Sequence, residues 1–174
     1  MGGGIIIDGK IYQGFSGLAG ELGHISVVPD LEAIQCGCGK MGCLETVSSA
    51  TGIIRMANDA VSRGERTSLA LVENITAKDV FDCAKAGDEV ATRIVNRAAF
   101  YLGKALAAVA VVLNPEVYIV GGGVSKAGEF LFEEIRSVFA KLTPEPVQKG
   151  LKIVPAVLGN DAGMVGAAGL FLRS

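Results

Sequence analysis

The sequence has few cysteines, a single histidine and no excess of charge of one sign. Its 174 residues include 4 cysteines and 1 histidine, and 16 basic residues balance 18 acidic ones to a net charge of −2. So small a charge, spread along the chain, indicates neither a nucleic-acid partner nor an acidic membrane surface. The cysteines are too few for the disulfide framework of a small secreted protein, and in a reducing compartment a cluster of them favours metal binding.

Long apolar runs and targeting signals are also missing. No uninterrupted apolar run predicts a membrane span, and the first residues, MGGGIIIDGK, lack the basic start and cleavage site of a secretory signal. We therefore expect a cytoplasmic protein. Half of the residues are hydrophobic, which is enough for a core, and no repeat, linker or domain boundary interrupts residues 1–174.

Strand-like and helix-like segments alternate along the chain. We predict strands at about 4–7 and 10–13, joined at Asp8-Gly9, a third at 24–28, and two more at 117–120 and 152–158. Helices are predicted from Thr46 to Gly64, from the N-cap Thr76 to Gly87, over 88–113, on a face formed by Phe130, Leu131, Ile135, Val138 and Phe139, and over 161–173. This order predicts an α/β fold with helices packed on a mixed sheet.

The segment GHISVVPDLEAIQCGCGKMGCLE, residues 23–45, holds the histidine and three cysteines, with the spacing His24-x11-Cys36-x-Cys38-x4-Cys43. Cys36 and Cys38 are too close for an easy mutual disulfide. Three thiolates and one imidazole form the closed tetrahedral set of structural zinc, and the glycines allow the tight turns. We therefore predict a zinc site; a redox thiol cluster and unliganded cysteines are the alternatives. Cys83, among apolar neighbours, is interpreted as an inert buried thiol.

Two carboxylates stand at the ends of this loop. Glu21 lies three residues before His24, and Glu45 lies two residues after Cys43. A metal-bound imidazole has its second ring nitrogen fixed in direction, and carboxylates accept strongly from hydroxyl groups. Their convergence would suit a polyhydroxylated ligand. For each carboxylate a solvated loop charge is the alternative, and the spacing alone does not decide.

Four segments together resemble the ROK family (repressor, open reading frame, kinase): GGGIIIDGKIYQGFSGLAGELGHISVVPD, CGCGKMGCLETVSSATGI, VYIVGGGVSKAGE and LGNDAGMVGAAG. The resemblance is to its sugar kinases. It implies the C-terminal lobe of an actin-like ATPase (ribonuclease H-like) fold, and the phosphorylation of a hexose, first of all glucose, by ATP with Mg²⁺. It also implies that Glu21, His24 and Glu45 contact the hexose hydroxyls, and that His24, Cys36, Cys38 and Cys43 bind Zn²⁺.

The same resemblance assigns two glycine runs to ATP. Gly2, Gly3 and Gly4 match the end of a phosphate loop, where backbone N–H groups approach phosphate without a Cβ in the way. Gly121, Gly122 and Gly123 match the segment that holds the adenosine side. Alone, a strand followed by three glycines and a helix also fits a tight turn, and it does not match the dinucleotide fingerprint.

Two motifs of the family kinases do not occur in these residues: the D-x-G-x-T phosphate loop and the Asp in an E-N-D context that serves as general base. Both belong to the N-terminal lobe in the family. We therefore expect the chain to begin inside the C-terminal lobe, to lack the base and to be inactive alone. Asn160-Asp161 is superficially similar to the base motif, but its position after the last strand predicts Asp161 as a helix cap.

Other functions remain open at this stage. The chain could belong to a ROK transcriptional repressor that binds a sugar, to a kinase for another hexose or N-acetylhexosamine, or to a free-standing sugar-binding module. The resemblance further implies a homodimer.

Overall fold

The structure is a computed structural model that describes residues 1–123, 127–159 and 164–166. Its elements are β1 (Ile6–Ile7), β2 (Lys10–Ile11), α1 (Glu45–Ser48), α2 (Ala50–Ser62), α3 (Ala77–Lys85), α4 (Glu89–Leu113), β3 (Val117–Val120), α5 (Glu129–Leu142), α6 (Glu145–Gln148) and β4 (Lys152–Pro155). Turns of 3₁₀ helix cover Leu22–His24 and Ser68–Leu71. The α/β class is confirmed. The helix predicted over 161–173 lies mostly outside the described residues, as does its predicted cap.

The described strands pair in two separate places. β1 and β2 form an antiparallel hairpin through Asp8 and Gly9, whose φ angles are 52° and 72°, as a type I′ turn requires. β3 and β4 are parallel, with Val117 opposite Lys152. Both pairing modes of the predicted mixed sheet therefore occur, in two two-stranded sheets rather than one continuous sheet.

The strand predicted over residues 24–28 is wrong. The chain turns in a 3₁₀ helix up to His24, and then Ser26 makes an isolated antiparallel bridge to Cys43. The N–H groups of Val27 and Val28 both donate to the carbonyl oxygen of Gly42, at 3.0 and 3.1 Å. In a β-ladder each inter-strand hydrogen bond has its own acceptor. Because Val27 and Val28 share one acceptor, the two loop segments cross here without forming a strand.

The helix predicted from Thr46 to Gly64 is two helices, α1 and α2. Between them Ser49 is extended, and its side chain accepts a hydrogen bond from the N–H of Gly52. Serine is a favoured N-cap. A Cβ on Gly52 would lie 2.6 Å from the carbonyl oxygen of Thr46, so the glycine allows α2 to start close to α1.

The predicted starts of α3 and α4 are confirmed. Thr76 and Asp79 form a capping box at α3, which satisfies two backbone donors at once. Asp88 caps α4 by accepting from the N–H of Ala91 at 2.9 Å. α4 ends at Leu113, and its C-cap Asn114 takes the left-handed conformation at φ 43°, a common helix terminus.

α4 lies at the centre of the core and packs against α1, α2, α3 and α5. Its length and composition are sufficient to cross a membrane, but 61% of its most apolar window is buried inside the protein. A helix that is apolar on most sides and buried by its neighbours is typical of a protein core. The contact of α1 with α4 also positions the chain that leaves the cysteine segment.

The buried face of α5 is partly as predicted. Leu131, Ile135, Val138 and Phe139 are buried as predicted, but Phe130 is 42% exposed and Phe132, which was not predicted, is 1% exposed. Residues 132, 135 and 139 are spaced by three and four and therefore lie on one face of the helix, whereas residue 130 lies on another. β4 ends at residue 155, earlier than predicted, and α6 was not predicted.

Candidate functional site

The histidine and three cysteines of the predicted zinc set lie together. His24 comes from the 3₁₀ turn, and Cys36, Cys38 and Cys43 come from the loop that follows. The ligand atoms of all four lie within 4.8 Å of one another. Cys36 Sγ is 3.7 Å from His24 Nδ1, and Cys38 Sγ is 3.6 Å from Cys43 Sγ.

These separations fit a tetrahedral metal site. With Zn–S bonds of about 2.3 Å, two ligand atoms of a tetrahedron lie about 3.8 Å apart. A disulfide needs about 2.05 Å, and the four cysteines of the chain are free thiols. The donor set, three sulfurs and one imidazole nitrogen, has the chemistry of a structural zinc site. The thiol cluster, meaning His24, Cys36, Cys38 and Cys43, could therefore hold one metal ion.

Short backbone bonds and two glycines shape the loop around the thiol cluster. Cys36 donates its N–H to the carbonyl oxygen of Lys40 at 2.8 Å, and Gly39, at φ 85°, donates to that of Cys36 at 2.9 Å. Gly42 has φ 73°, and a Cβ there would lie 2.7 Å from the carbonyl oxygen of Val28. Only glycine fits that position without strain.

The thiols differ in environment. Burial raises the pKa of Cys43 to about 12, and the two neighbouring thiols add to the effect. The pKa of the exposed Cys38 thiol is lowered, chiefly by the backbone hydrogen bond from Lys40. Cys83 is only half-buried, not fully buried as predicted, and this partial burial raises its pKa. Cys43 would thus become a thiolate only with a cation beside it.

Glu21 and Glu45 lie on two sides of the histidine. His24 Nε2 is 3.7 Å from Glu21 Oε2, so its Nδ1 faces the sulfurs while Nε2 faces the carboxylate. Cys36 Sγ donates to Glu45 Oε1 at 3.6 Å. The terminal ammonium of Met1 pairs with Glu45 and is the first cause of its lowered pKa. Both carboxylates therefore lie close to the thiol cluster, Glu21 beside the imidazole and Glu45 beside the sulfur of Cys36.

The first glycine run, residues 2–4, lies beside the turn that carries Glu21. A Cβ on Gly3 would be 2.5 Å from the carbonyl oxygen of Gly20, and one on Gly23 would be 2.4 Å from that of Met1. The glycines on either side of Gly3 would meet nothing within 4 Å. The N-terminal segment thus crosses directly over the turn that carries Glu21, and Gly3 has a packing reason as well as the predicted phosphate role.

The second glycine run follows β3 at the carboxyl end of the parallel pair. A Cβ on Gly121 would lie 3.3 Å from Cβ of Ala156, which follows β4, and Gly122 has φ 80°. The carboxyl ends of parallel strands are the usual place for nucleotide sites in α/β proteins.

Sequence reasoning missed the side chains that hold the loop to the core. Lys104 Nζ donates to the carbonyl oxygen of Val27 at 3.0 Å, and the buried hydroxyl of Ser48 donates to that of Ala98 at 2.8 Å. One signal could have found the lysine: it is the only charged residue between Ala98 and Leu113. A lone charge in an apolar helix usually has a specific partner.

The sequence and the fold match those of a known protein family. The ROK family model matches residues 1–174, and the chain belongs to that family. Among curated relatives, the chain is 47% identical to a glucokinase of Halalkalibacterium halodurans, over 98% of this chain and 52% of the relative. It is 36% identical to an N-acetylmannosamine kinase of Yersinia pestis, over 97% of this chain and 52% of the relative. The chain spans about half the length of these curated relatives.

Two solved structures are similar to the chain. One is a ROK family glucokinase from Streptomyces griseus in complex with glucose and AMPPNP, at 38% identity and a TM-score of 0.83, covering 97% of this chain and 56% of that one. The other is a ROK family transcriptional regulator, a homologue of the E. coli MLC protein, at 36% identity and a TM-score of 0.79, covering 87% of this chain and 38% of that one.

Proposed function

We propose that this chain is the zinc-binding and sugar-binding part of an ATP-dependent hexose kinase that converts glucose and ATP to glucose 6-phosphate and ADP. One observation carries the proposal: two carboxylates lie beside the thiol cluster, with Glu21 Oε2 3.7 Å from His24 Nε2 and Glu45 Oε1 3.6 Å from Cys36 Sγ. The similarity to glucokinases, one of them solved with glucose, supports it.

The sugar contacts follow from the chemistry of the three side chains. Glu21 and Glu45 accept hydrogen bonds from neighbouring hydroxyl groups, and bonds to ionised acceptors are roughly twice as strong as neutral ones. His24 adds its Nε2, which the ring orientation directs toward Glu21. Two neighbouring carboxylates suit a ring with adjacent hydroxyl groups. An apolar ligand would remove water from both charges without offering them a hydrogen bond, which is unfavourable.

The four residues of the thiol cluster would hold Zn²⁺. A four-coordinate ion of this kind has no open position, so it supplies loop rigidity rather than Lewis-acid chemistry. His24 would bind it through Nδ1, the nitrogen that lies 3.7 Å from Cys36 Sγ. The second ring nitrogen is thereby fixed for the sugar.

The nucleotide would contact the two glycine runs, residues 2–4 and 121–123, with Mg²⁺ bound to its phosphates. In-line transfer needs a carboxylate that takes the proton of the 6-hydroxyl group. We assign that base to an Asp of the family's N-terminal lobe, so we expect residues 1–174 alone to bind the sugar without phosphorylating it. A homodimer and a cytoplasmic location belong to the same proposal.

The test is a calorimetric titration of the zinc-loaded chain with glucose. Glu21→Gln should weaken binding about tenfold, because a hydrogen bond to a charged group contributes about 1.5 kcal/mol or more. Glu116→Gln is the matched control, since this exposed carboxylate precedes β3, away from the loop, and should bind glucose as the wild type does. Equal losses in both variants, or no binding by the wild type, would overturn the sugar role.

A second function, sugar sensing without phosphorylation, is favoured by the similarity to the transcriptional regulator. A protein that carries this chain together with the D-x-G-x-T and E-N-D motifs separates the possibilities. ADP release with glucose supports the proposal, and ADP release only with N-acetylmannosamine changes the substrate. Sugar binding with no ADP release in either case favours the sensor.

A further inference from the structure

One face of α4 is directed at the segment between the histidine and the first cysteine. Arg97, Tyr101 and Lys104 follow one another at spacings of four and three, so they share a helix face. Arg97 pairs with Glu32 at 2.7 Å, and Lys104 donates to the carbonyl oxygen of Val27 at 3.0 Å. The helix therefore contacts this segment at two places, Val27 and Glu32.

Tyr101 joins the two cationic side chains. It is 5% exposed, with the guanidinium carbon of Arg97 5.1 Å and the ammonium nitrogen of Lys104 5.9 Å from the ring centroid. Cations within about 6 Å of a ring centroid are attracted to its face. Phe100 contacts the ring from its edge, at 5.2 Å between centroids. The buried ring thus attracts both cationic side chains that contact the loop.

The bond from Lys104 continues into the thiol cluster. The peptide that accepts from Lys104 belongs to Val27, whose own N–H donates to the carbonyl oxygen of Gly42 at 3.0 Å. That carbonyl belongs to the peptide bond that leads into Cys43. Next along the chain, Leu44 donates its N–H to Ile25 at 2.9 Å. The ammonium group is therefore two hydrogen bonds away from the backbone of a proposed metal ligand.

The same helix anchors the other side of the candidate site. The hydroxyl of Ser48 is buried in α1 and donates to the carbonyl oxygen of Ala98. α1 begins with Glu45. The segment before the cysteines and the helix after them are thus fastened to adjacent positions of α4.

We propose that Arg97, Tyr101 and Lys104 are positioning residues. They fix the position of the thiol cluster relative to the carboxylates of Glu21 and Glu45. The inference rests on the zinc site proposed above. None of the three is assigned as a metal or sugar ligand; they act through the side chain of Glu32 and through the backbone of Val27 and Gly42. Loss of such outer contacts typically lowers metal affinity about 10- to 100-fold.

The test measures the rate at which the zinc-loaded chain transfers its metal to a chromophoric chelator. Lys104→Met keeps the length of the side chain and removes its donor, so metal release should be about tenfold faster. Lys104→Arg should restore the slow rate. Arg93→Met is the matched control, because Arg93 lies on the same helix and pairs with Glu65, in the segment after α2, and it should release metal within about twofold of the wild type.

Equal release rates for Lys104→Met and Arg93→Met would overturn the inference. If the wild type binds no metal, the zinc proposal itself fails. Hydrogen exchange in the metal-free chain then tests whether the three residues position the loop. Lys104→Met should speed exchange of the Val27 and Val28 amides about tenfold over Arg93→Met, and equal exchange would overturn the inference. Should Lys104→Met fail to fold, Arg97→Gln takes its place in both measurements.

Discussion

The helical core and the cysteine loop of this chain are stabilised in different ways. Where α5 packs on α4, Phe132 and Ile135 are 1% and 0% exposed, and a Cβ on Gly103 would lie 2.9 Å from the carbonyl oxygen of Ile135. The loop from residue 25 to residue 44 has a few crossing hydrogen bonds, positive-φ glycines and the thiol cluster. The core is held by apolar burial, whereas the loop is held by polar anchors and, in our proposal, by a bound cation.

The largest expected effect is on the core. Phe132→Ala should lower the free energy of unfolding by about 3–5 kcal/mol, because it removes a buried ring and leaves a cavity. Phe130→Ala is the control, because Phe130 lies on the same helix but is 42% exposed. It should change the free energy of unfolding by less than about 1 kcal/mol. Urea unfolding followed by circular dichroism measures both. Similar losses in the two variants would mean that the face of α5 is assigned wrongly.

Metal removal should speed amide exchange in the cysteine loop. After chelation, the amides of Val27, Val28 and Gly42 should exchange about 100-fold faster, because the cross-link that fixes the loop is gone. Amides in the middle of α4 should be unchanged, since apolar contacts hold them. Hydrogen exchange by mass spectrometry measures both sets at once. A uniform increase over loop and helices would show that the two regions are not independent.

The smallest expected effect concerns the start of α4 and depends on pH. Burial raises the pKa of Asp88, but hydrogen bonds from Ala91, Ser68 and Thr67 outweigh it, and the net pKa is lowered. A carboxyl with a lowered folded pKa stabilises above its unfolded pKa, and this stabilisation is lost as pH falls through the folded value.

Asp88→Asn should therefore cost about 0.5–1 kcal/mol at pH 7, and its difference from the wild type should shrink below about pH 3.9. Urea unfolding at pH 7, 5 and 3 measures the difference. Asp8→Asn, at an exposed turn position, is the control and should show no such trend. A difference for Asp88→Asn that stays constant with pH would contradict the assignment.

The core was largely predictable from sequence because its signals are local. Thr76 and Asp88 precede apolar positions at helical spacing, and caps of this kind fix helix starts without tertiary information. The prediction failed at Ser49, an internal cap hidden in a continuous periodic pattern. It also failed for residues 24–28, where β-branched residues favour a strand locally but find a single acceptor, Gly42, across the loop.

The clustering of His24 with the three cysteines was predictable from sequence, but the side chains that support their loop were not. His24 and the cysteines stand out because few other side chains bind soft metals, and spacing alone brings them together. Lys104 and Tyr101 lie about 60 residues further along the chain from the loop they hold,. Their role depends on which face of α4 meets the loop, and only tertiary packing decides that.

The most direct test of the account is the metal content of the purified chain, with cobalt(II) exchanged in to report the ligands. We predict one zinc per chain in the wild type and in Cys83→Ser, none in Cys43→Ser, and the absorption of a tetrahedral cobalt–thiolate site. A wild-type chain without bound metal, or with a disulfide between Cys38 and Cys43, would contradict the account.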